Sequence, residues 1–224
     1  MTRGVDTGAD ERWEVEEPPD PTGADGRVLR SRGQETRRRL LEAAETVFGA
    51  LGYHDASIVK ITEAAGVAQG TFYNYFTSKE EVFEELVRDL NHRVRRAMSE
   101  TTAQGRTRAE RERLGFRAFF RFTEEHPALY RVIRQAEFAS PRTLHEHYEA
   151  IARGYVKGLR DAMDAGEIAE ADPEVLAWAL MGVGEIIGMR WILWGDTDAV
   201  PDEVFEELYR FITRGLGTDA GGEG

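Results

Sequence analysis

Apolar residues recur every three to four positions through most of this 224-residue chain, which is the spacing of helices with one buried face. Proline, glycine and capping residues separate the segments, as at residues 126–127, 140–141, 172–173 and 201. No alternating pattern long enough for a strand occurs, and there is no long repeat. The pattern therefore predicts an all-α protein.

Residues 57–81, SIVKITEAAGVAQGTFYNYFTSKEE, predict two short helices around a tight turn. The Ser57 hydroxyl can accept a hydrogen bond from the first backbone N–H groups of a helix, and Ile61 and Ala65 lie on the apolar face of that helix. Gly66 ends it, because glycine takes the left-handed conformation without a Cβ penalty. This arrangement is typical of a helix-turn-helix.

The second short helix of the motif is predicted from Ala68 to about Tyr75, with Phe72 and Phe76 facing inward. Residues 78–81 then have the sequence of a capping box, which precedes a long amphipathic pattern. Three helix starts in this short span therefore have a physical cause.

The order of these residues resembles the tetracycline-repressor (TetR) family of transcriptional regulators, and residues 40–53 match that family's first helix. The other matching residues are Ser57, Ile58, Ile61, Ala64, Ala65, Gly66, Val67, Gly70, Thr71, Phe72, Tyr73, Tyr75, Phe76, Ser78, Lys79 and Glu80. The resemblance is specific over about residues 34–90. It implies a three-helix DNA-binding domain, a helical ligand-binding and dimerisation domain, and as partners double-stranded DNA, a second copy of the chain and a small-molecule effector.

The expected organisation has four segments. An acidic tail, 1–29, is expected to be disordered, because it is rich in proline, glycine and acidic residues. The helix-turn-helix domain is expected over 30–78, the effector-binding and dimerisation domain over 79–216, and a flexible tail over 217–224. The N-terminal segment has no apolar core of signal-peptide length, which favours a cytoplasmic bacterial protein acting on DNA.

The net charge of the whole chain is −12, which argues against binding to DNA. The charge is, however, unevenly distributed along the chain. Residues 27–79 carry eight Lys or Arg against five Asp or Glu, a net charge of +3, whereas residues 1–26 sum to −6 and residues 80–224 to −9. Screening acts over about 8 Å at physiological salt, so a phosphate responds to the local charge. The predicted DNA-binding segment alone is positive.

A recognition helix places its N-terminal residues at base edges in the major groove. The candidates for base readout are Ala68, Gln69, Gly70, Thr71 and Tyr73. The candidates for phosphate or minor-groove arm contacts are Arg30, Arg32, Ser57, Lys60, Asn74, Tyr75 and Lys79. No Lys or Arg lies in the recognition helix, so adenine readout by Gln69 is favoured over an arginine–guanine contact. Two alternatives stay open, that Tyr73 is a packed aromatic and that residues 37–39 are a solvated helix face.

Residues 175–194 are apolar over a length that could span a bilayer. Glu185 and Arg190 lie inside this segment, and a charge at mid-bilayer costs about 2.5 to 3.5 kcal/mol, so no membrane partner is expected. In the resembling family the last two long helices form a four-helix dimer interface, and residues 173–194 and 202–215 hold that position. The residues expected at this interface are Gly182, Gly184, Gly188, Trp191, Phe205, Leu208 and Ile212.

The inner faces of the middle helices could line a ligand cavity, although the spacing of each side chain taken singly favours plain core. The candidates are Phe116, Phe119, Phe120, Tyr130, Phe138, Tyr148, Tyr155, Trp178, Met181, Glu185 and Met189. Glu185 and Arg190 could pair with each other across a dimer, with Arg134 or Glu137, or with a ligand; structural pairing is favoured. The composition favours a large apolar or amphipathic effector, such as a fatty acyl group, a planar drug or a polyketide.

Enzymatic chemistry has no support in the sequence. There is no cysteine, no phosphate loop and no nucleophile motif. His145 and His147 are two apart on a predicted helix and so point in different directions, unlike a pair of metal ligands four apart. No catalytic activity, metal site or cofactor is expected.

The sequence thus favours a homodimeric repressor that a small apolar or amphipathic effector releases from a pseudo-palindromic operator. Two alternatives remain. One is a helical ligand carrier or protein-interaction module that does not bind DNA, and the other is a DNA-binding regulator controlled by a protein partner without a small ligand.

Overall fold

The structure is a computed structural model that describes Val15, residues 17–195 and residues 197–217. Over that part of the chain it contains nine α-helices, one short π-helix and no strand, so the all-α prediction is confirmed. The helices are α1 Ser31–Asp55, α2 Ile58–Ala65, α3 Gln69–Phe72, α4 Lys79–Thr102, α5 Arg108–Glu125, α6 Ala128–Ala139, α7 Pro141–Asp164, α8 Pro173–Gly188 with the π-helix Met189–Leu193, and α9 Asp202–Leu216.

The local signals of the helix-turn-helix act as the sequence predicts. The Ser57 hydroxyl accepts a hydrogen bond from the backbone N–H of Lys60 at 3.3 Å, and Gly66 ends α2 with φ at 63°. The Ser78 hydroxyl accepts from the backbone N–H of Glu81 at 3.1 Å. The three caps set the entry and exit angles of α2 and the start of α4. The helices of this domain share a core, whose large buried side chains include Leu40, Phe48, Ile61, Phe72, Phe76 and Phe83.

The second helix of the motif is shorter than predicted. Helix α3 ends at Phe72, and the chain continues to Phe76 in a tight turn in which the N–H of Tyr75 bonds to the carbonyl of Phe72. Gly70 lowers helix propensity by about 1 kcal/mol, and Phe72 and Phe76 must both reach the core. Packing of these two rings therefore holds a tighter backbone than a regular helix.

Part of the expected disordered tail is folded. Residues 21–29 form a turn closed by a bridge between Thr22 and Val28. The N–H of Ala24 donates to the carbonyl of Asn74 at 2.9 Å, and a Cβ on Gly23 would lie 2.9 Å from the same oxygen. The prediction of disorder is thus wrong for this turn, which packs beside the recognition segment because its peptide groups find partners there. Residues 1–14 and 218–224 of the expected tails lie outside the described residues.

Helix α6 connects the two halves of the molecule. The side chain of Gln135 donates to the carbonyl of Phe48 in α1 and accepts from the N–H of Tyr53. A Cβ on Gly49 would lie 2.7 Å from the Cβ of Ala128, so the backbones of α1 and α6 approach closely here. Helices α1 and α6 are therefore joined by both hydrogen bonds and close backbone packing.

The apolar segment at α8 has the length and composition of a membrane span over Pro173–Leu193. In the structure one side of it packs into the protein through Ala177, Leu180, Gly184 and Gly188. The Asp172 carboxylate accepts from two N–H groups at its start, at 2.8 and 3.3 Å. One side of the helix is thus part of the protein core, and its other side is exposed.

Candidate DNA-binding and effector sites

The proposed base-reading residues lie on the outside of the helix-turn-helix. Ala68, Gln69 and Gly70 are exposed and Thr71 is half-buried. Tyr73 is 48% exposed, with its ring edge-on to Phe72 at 5.5 Å between centroids. A Cβ on Gly70 would meet nothing within 4 Å, so the backbone here is open to close approach by a ligand. The five residues form one accessible surface, and Tyr73 is not a fully packed aromatic.

Most of the proposed phosphate and arm residues border the same surface. Arg30, Arg32, Lys60 and Asn74 are exposed, whereas Ser57 and Tyr75 are half-buried. The ammonium group of Lys60 donates to the carbonyl of Asp55 at 3.0 Å in an exposed position, from which it can turn to a phosphate. The docked turn of residues 21–29 leads into Arg30 and Arg32 and fixes where this arm starts.

Lys79 has a different position from the one expected of a phosphate ligand. Its ammonium group donates to the carbonyls of Tyr53 at 2.8 Å, Ala56 at 3.0 Å and His54 at 3.4 Å, and lies 4.5 Å from the Tyr53 ring centroid. All three of its protons are used at the C-terminal end of α1, where a cation is favoured. We therefore correct its assignment from phosphate contact to a link between α1 and α4.

Replacing Lys79 by methionine should lower the free energy of unfolding by about 1.5 kcal/mol, since hydrogen bonds from a charged group are lost while the aliphatic stem is kept. Lys60→Met, the matched exposed substitution, should leave stability unchanged and weaken DNA binding instead. Urea unfolding of both variants measures the difference. Equal stability of the two variants would contradict the structural role of Lys79.

The three consecutive arginines of α1 have separate roles. Arg37 pairs with Glu85 of α4 at 2.6 Å and lies over the Phe76 ring, and Arg39 donates to the carbonyl of Ala65. Arg38 alone pairs only with residues of its own helix, Glu35 and Glu42, on the surface. The solvated-face alternative therefore holds for Arg38, while the other two arginines brace the helix-turn-helix.

A narrow cavity of about 60 Å³ lies between α4, α5, α6, α7 and α8. Seven predicted residues line it: Phe116, Phe119, Tyr130, Tyr148, Tyr155, Met181 and Glu185. The walls are almost entirely apolar, which suits an apolar ligand. The enclosed space is well below the usual size of a small-molecule site, so a ligand enters only if lining side chains or helices move apart.

Four predicted cavity residues lie elsewhere. Phe138 is 86% exposed on the outer side of α6, and Trp178 points to the outer side of α8. Phe120 packs edge-on against Phe205 in the core, and Met189 is buried beside the guanidinium of Arg134. Each side chain is apolar at helical spacing, and only the rotation of its helix about its axis excludes it from the cavity.

Sequence reasoning missed several lining residues, namely Val94, Met98, Leu129, Ile133, His147, Ile151, Leu180 and Gly184. Most are aliphatic and carry no signal that separates cavity from core. His147 is the exception, since a histidine in an apolar stripe is unusual. Its Nδ1 accepts from the Asn91 amide at 2.9 Å, and burial lowers its pKa to about 4, so the ring is neutral at physiological pH.

Within the described residues of this chain, Glu185 forms no ion pair with Arg134 or Arg190, while pairing across a dimer or with a ligand stays a prediction. Both its oxygens lie within hydrogen-bond distance of the Tyr148 hydroxyl, at 2.8 and 2.9 Å. Arg190 lies exposed over the ring of its neighbour Trp191, 5.3 Å from the centroid. Within the described residues Glu185 thus has a hydroxyl partner and no cation.

The predicted dimer residues divide between two sides of α8 and α9. Gly184 and Gly188 face inward, since a Cβ on them would lie 2.9 Å from the Phe116 ring and 1.7 Å from the Tyr130 hydroxyl. Phe205, Leu208 and Ile212 are buried in the protomer's own core, although Leu208 also borders the outer groove. Gly182 and Trp191 do lie on the outer side. The assignment is therefore wrong for Gly184, Gly188, Phe205 and Ile212.

The exposed outer side of α8 and α9 carries a different set of large apolar residues. They are Val175, Trp178, Ile186 and Phe211, each at least 39% exposed. All of them except Val175 line a broad groove between the two helices. Trp178, Gly182 and Ile186 are four residues apart, so they form one stripe along α8. We call the surface formed by Trp178, Gly182, Ile186, Trp191 and Phe211 the outer apolar face.

Comparisons with known proteins agree with this architecture. The sequence profile of the bacterial regulatory proteins of the tetR family matches residues 40–86. The HTH-type transcriptional regulator YdgC of Bacillus subtilis is 30% identical over 200 residues, which cover 84% of this chain and 96% of YdgC. The HTH-type transcriptional activator FasR of Mycolicibacterium smegmatis is 27% identical over 201 residues, covering 88% and 90% of the two chains.

The fold is shared with a solved structure of the transcriptional regulator FadR from Bacillus subtilis in complex with stearoyl-CoA. The TM-score is 0.70 at 22% identity, with 81% of this chain and 98% of FadR covered. The profile match over the helix-turn-helix and the match to YdgC over most of both chains identify the family. The chain is a DNA-binding transcriptional regulator that belongs to the TetR family.

Proposed function

We propose that the protein is a homodimeric repressor that binds a pseudo-palindromic operator and is released from it by a small apolar or amphipathic effector. The main support for this proposal is the position of α6 between the cavity and α1. One side of this helix lines the cavity, and the other side packs on α1 of the DNA-binding domain. Cavity and DNA-binding surface are thus connected by one rigid element.

The effector step follows from that connection. Leu129, Tyr130 and Ile133 of α6 line the cavity, and Gln135 bonds to the α1 backbone. A ligand that fills the cavity shifts α6, and α1 with the helix-turn-helix moves with it. A coupling of about 1 to 3 kcal/mol changes DNA affinity by about 5- to 150-fold. Helix α4, which also lines the cavity and begins at the capped end of the motif, provides a second route.

Dimerisation is supported by the outer apolar face. Large apolar side chains that are exposed together on two neighbouring helices mark an interaction surface in a soluble protein. The face is present in an identical form on every copy, so a two-fold axis brings it against itself. Two recognition helices would then be spaced about 34 Å apart, one turn of DNA, which requires an operator with two-fold symmetry.

The shared fold with a regulator solved in complex with stearoyl-CoA supports an effector with a long apolar part. The sign of regulation is tested separately from DNA binding. Selection of bound sequences from random duplex DNA identifies the operator, and transcription from a promoter that carries it measures repression directly. Increased transcription in the presence of the protein would contradict the repressor assignment.

Replacing both Gln69 and Tyr73 by alanine should weaken operator binding by at least about tenfold, because each good base contact contributes roughly 1 to 3 kcal/mol of discrimination. Electrophoretic shifts with operator and scrambled duplexes measure the change. The control is Phe138→Ala, which alters an exposed aromatic far along the chain in α6. Unchanged sequence preference in the double variant would show that readout lies elsewhere.

A further inference from the structure

Glu185 is the one charged residue among the described side chains that line the cavity. It lies in the last turn of α8, half-buried, with apolar neighbours such as Leu180 and Met181 on the same wall. The other titratable lining residues are three tyrosines and His147, and burial keeps the latter neutral. The charge of the cavity wall is therefore negative and located at a single position.

The carboxylate of Glu185 is only partly satisfied. Tyr148 is its one hydrogen-bond partner within the described residues, and no Lys or Arg there forms an ion pair with it. A carboxylate has about four acceptor positions, and a phenol has a single proton to give. At least two acceptor positions on Glu185 are therefore open to a donor that enters the cavity.

The Tyr148 hydroxyl reinforces this polarity. Burial raises its pKa, and the negative charge of Glu185 raises it further, so the phenol stays protonated and donates to the carboxylate. Arg134 of α6 lies near the phenol but is engaged at Met189 and Trp194 rather than at Glu185. Arg134 and Arg95 act electrostatically on Tyr148 and His147, but neither guanidinium lines the cavity within the described residues.

We propose that the cavity selects effectors with an apolar body and a hydrogen-bond-donating end that is positively charged or uncharged, and that it rejects apolar acids such as free fatty acids. The proposal rests on the effector site proposed above and specifies which ligands it takes. A donor end forms hydrogen bonds with the open acceptors of Glu185, whereas a carboxylate would bring a second negative charge into an apolar site. An acyl group in secondary amide linkage carries no carboxylate and keeps an N–H donor, so it satisfies this rule, whereas a thioester has no donor.

A chain-matched ligand series tests the proposal on the full-length protein. Decylamine, decanol, N-decylacetamide and decanoate, each below its micellar concentration at pH 7, share one apolar body and differ in the polar end. Isothermal titration calorimetry should give decylamine an affinity at least about tenfold higher than that of decanoate, with decanol and N-decylacetamide between them. In Glu185→Gln the difference between amine and acid should fall to within about twofold.

Two control variants isolate the contribution of the Glu185 carboxylate. Glu137→Gln removes an exposed negative charge of neighbouring α6 and should keep the preference for the amine, which excludes a general effect of the acidic chain. Tyr148→Phe removes the internal partner of Glu185 but keeps the carboxylate, and it should keep or increase the preference. Thermal unfolding of each variant confirms that it is folded.

Failure of this inference and failure of the proposed effector site give different binding results. Decanoate binding as tightly as decylamine, or an undiminished amine preference in Glu185→Gln, overturns the inference while the effector site itself stands. Absence of binding by every member of the series overturns the proposed effector site, and the inference with it.

Discussion

Replacing Ile186 and Phe211 by arginine should make the protein monomeric and weaken operator binding by about 10²- to 10⁴-fold. The two side chains are 56% and 65% exposed at the centre of the outer apolar face. If this face joins two copies, four added charges would have to leave water in an apolar interface, and the two positive charges of one copy would repel those of the other. A monomer engages one half-site and loses the effective concentration that ties the second recognition helix to DNA.

Sedimentation velocity and electrophoretic shifts measure the two parts of this prediction separately. Phe138→Arg is the matched control, because Phe138 is the most exposed large apolar residue of the described chain but lies on α6, outside the outer apolar face. It should leave both mass and affinity unchanged. A double variant that still sediments as a dimer would place the interface on another surface.

Replacing Gly188 by alanine should lower the free energy of unfolding by about 3 kcal/mol, the upper end of the usual cost of overpacking. The added Cβ would lie 1.7 Å from the Tyr130 hydroxyl oxygen and 2.8 Å from the adjacent ring carbon. Neither α6 nor α8 can move aside freely, since both pack against other helices. For a protein of this size the midpoint of thermal unfolding should drop by about 6 to 12 °C.

Tyr130→Phe tests whether the contact with the Tyr130 hydroxyl causes the loss of stability in Gly188→Ala, because it removes the oxygen that the new methyl group meets. The Tyr130 hydroxyl is buried and has no hydrogen-bond partner within the described residues, so Tyr130→Phe alone should be nearly neutral. Combined with Gly188→Ala it should restore part of the lost stability, as measured by calorimetry in a double-mutant cycle. Gly215→Ala controls for helix propensity, because a Cβ there meets nothing within 4 Å. Additive effects of the two substitutions would contradict the contact.

Local sequence signals predict the DNA-binding half closely. Ser57, Gly66 and Ser78 take the capping roles expected of them, and Phe72 and Phe76 are buried. These outcomes depend on backbone hydrogen bonds within four residues and on a clear alternation of apolar and polar positions. Such patterns involve residues close together in the chain, so the sequence contains them directly.

Residues whose roles depend on distant partners are predicted less well. The charge of Lys79 indicates a phosphate contact, but its protons go to carbonyls of α1, more than twenty positions earlier. The turn of residues 21–29 has the composition of a disordered tail, yet it finds a partner at Asn74. Both are hydrogen bonds between segments that only folding brings together.

Helix order, caps, buried stripes and the positive segment that carries the helix-turn-helix all follow from the sequence alone, because each depends on residues close together in the chain. The side of α8 that faces inward is instead a result of tertiary packing. That helix is apolar all round, so hydropathy does not distinguish Gly184 and Gly188 in the core from Gly182 and Ile186 outside. The rotation of α8 is set by its packing on α5, α6 and α7, and it places Glu185 in the cavity wall and a separate apolar stripe in solvent.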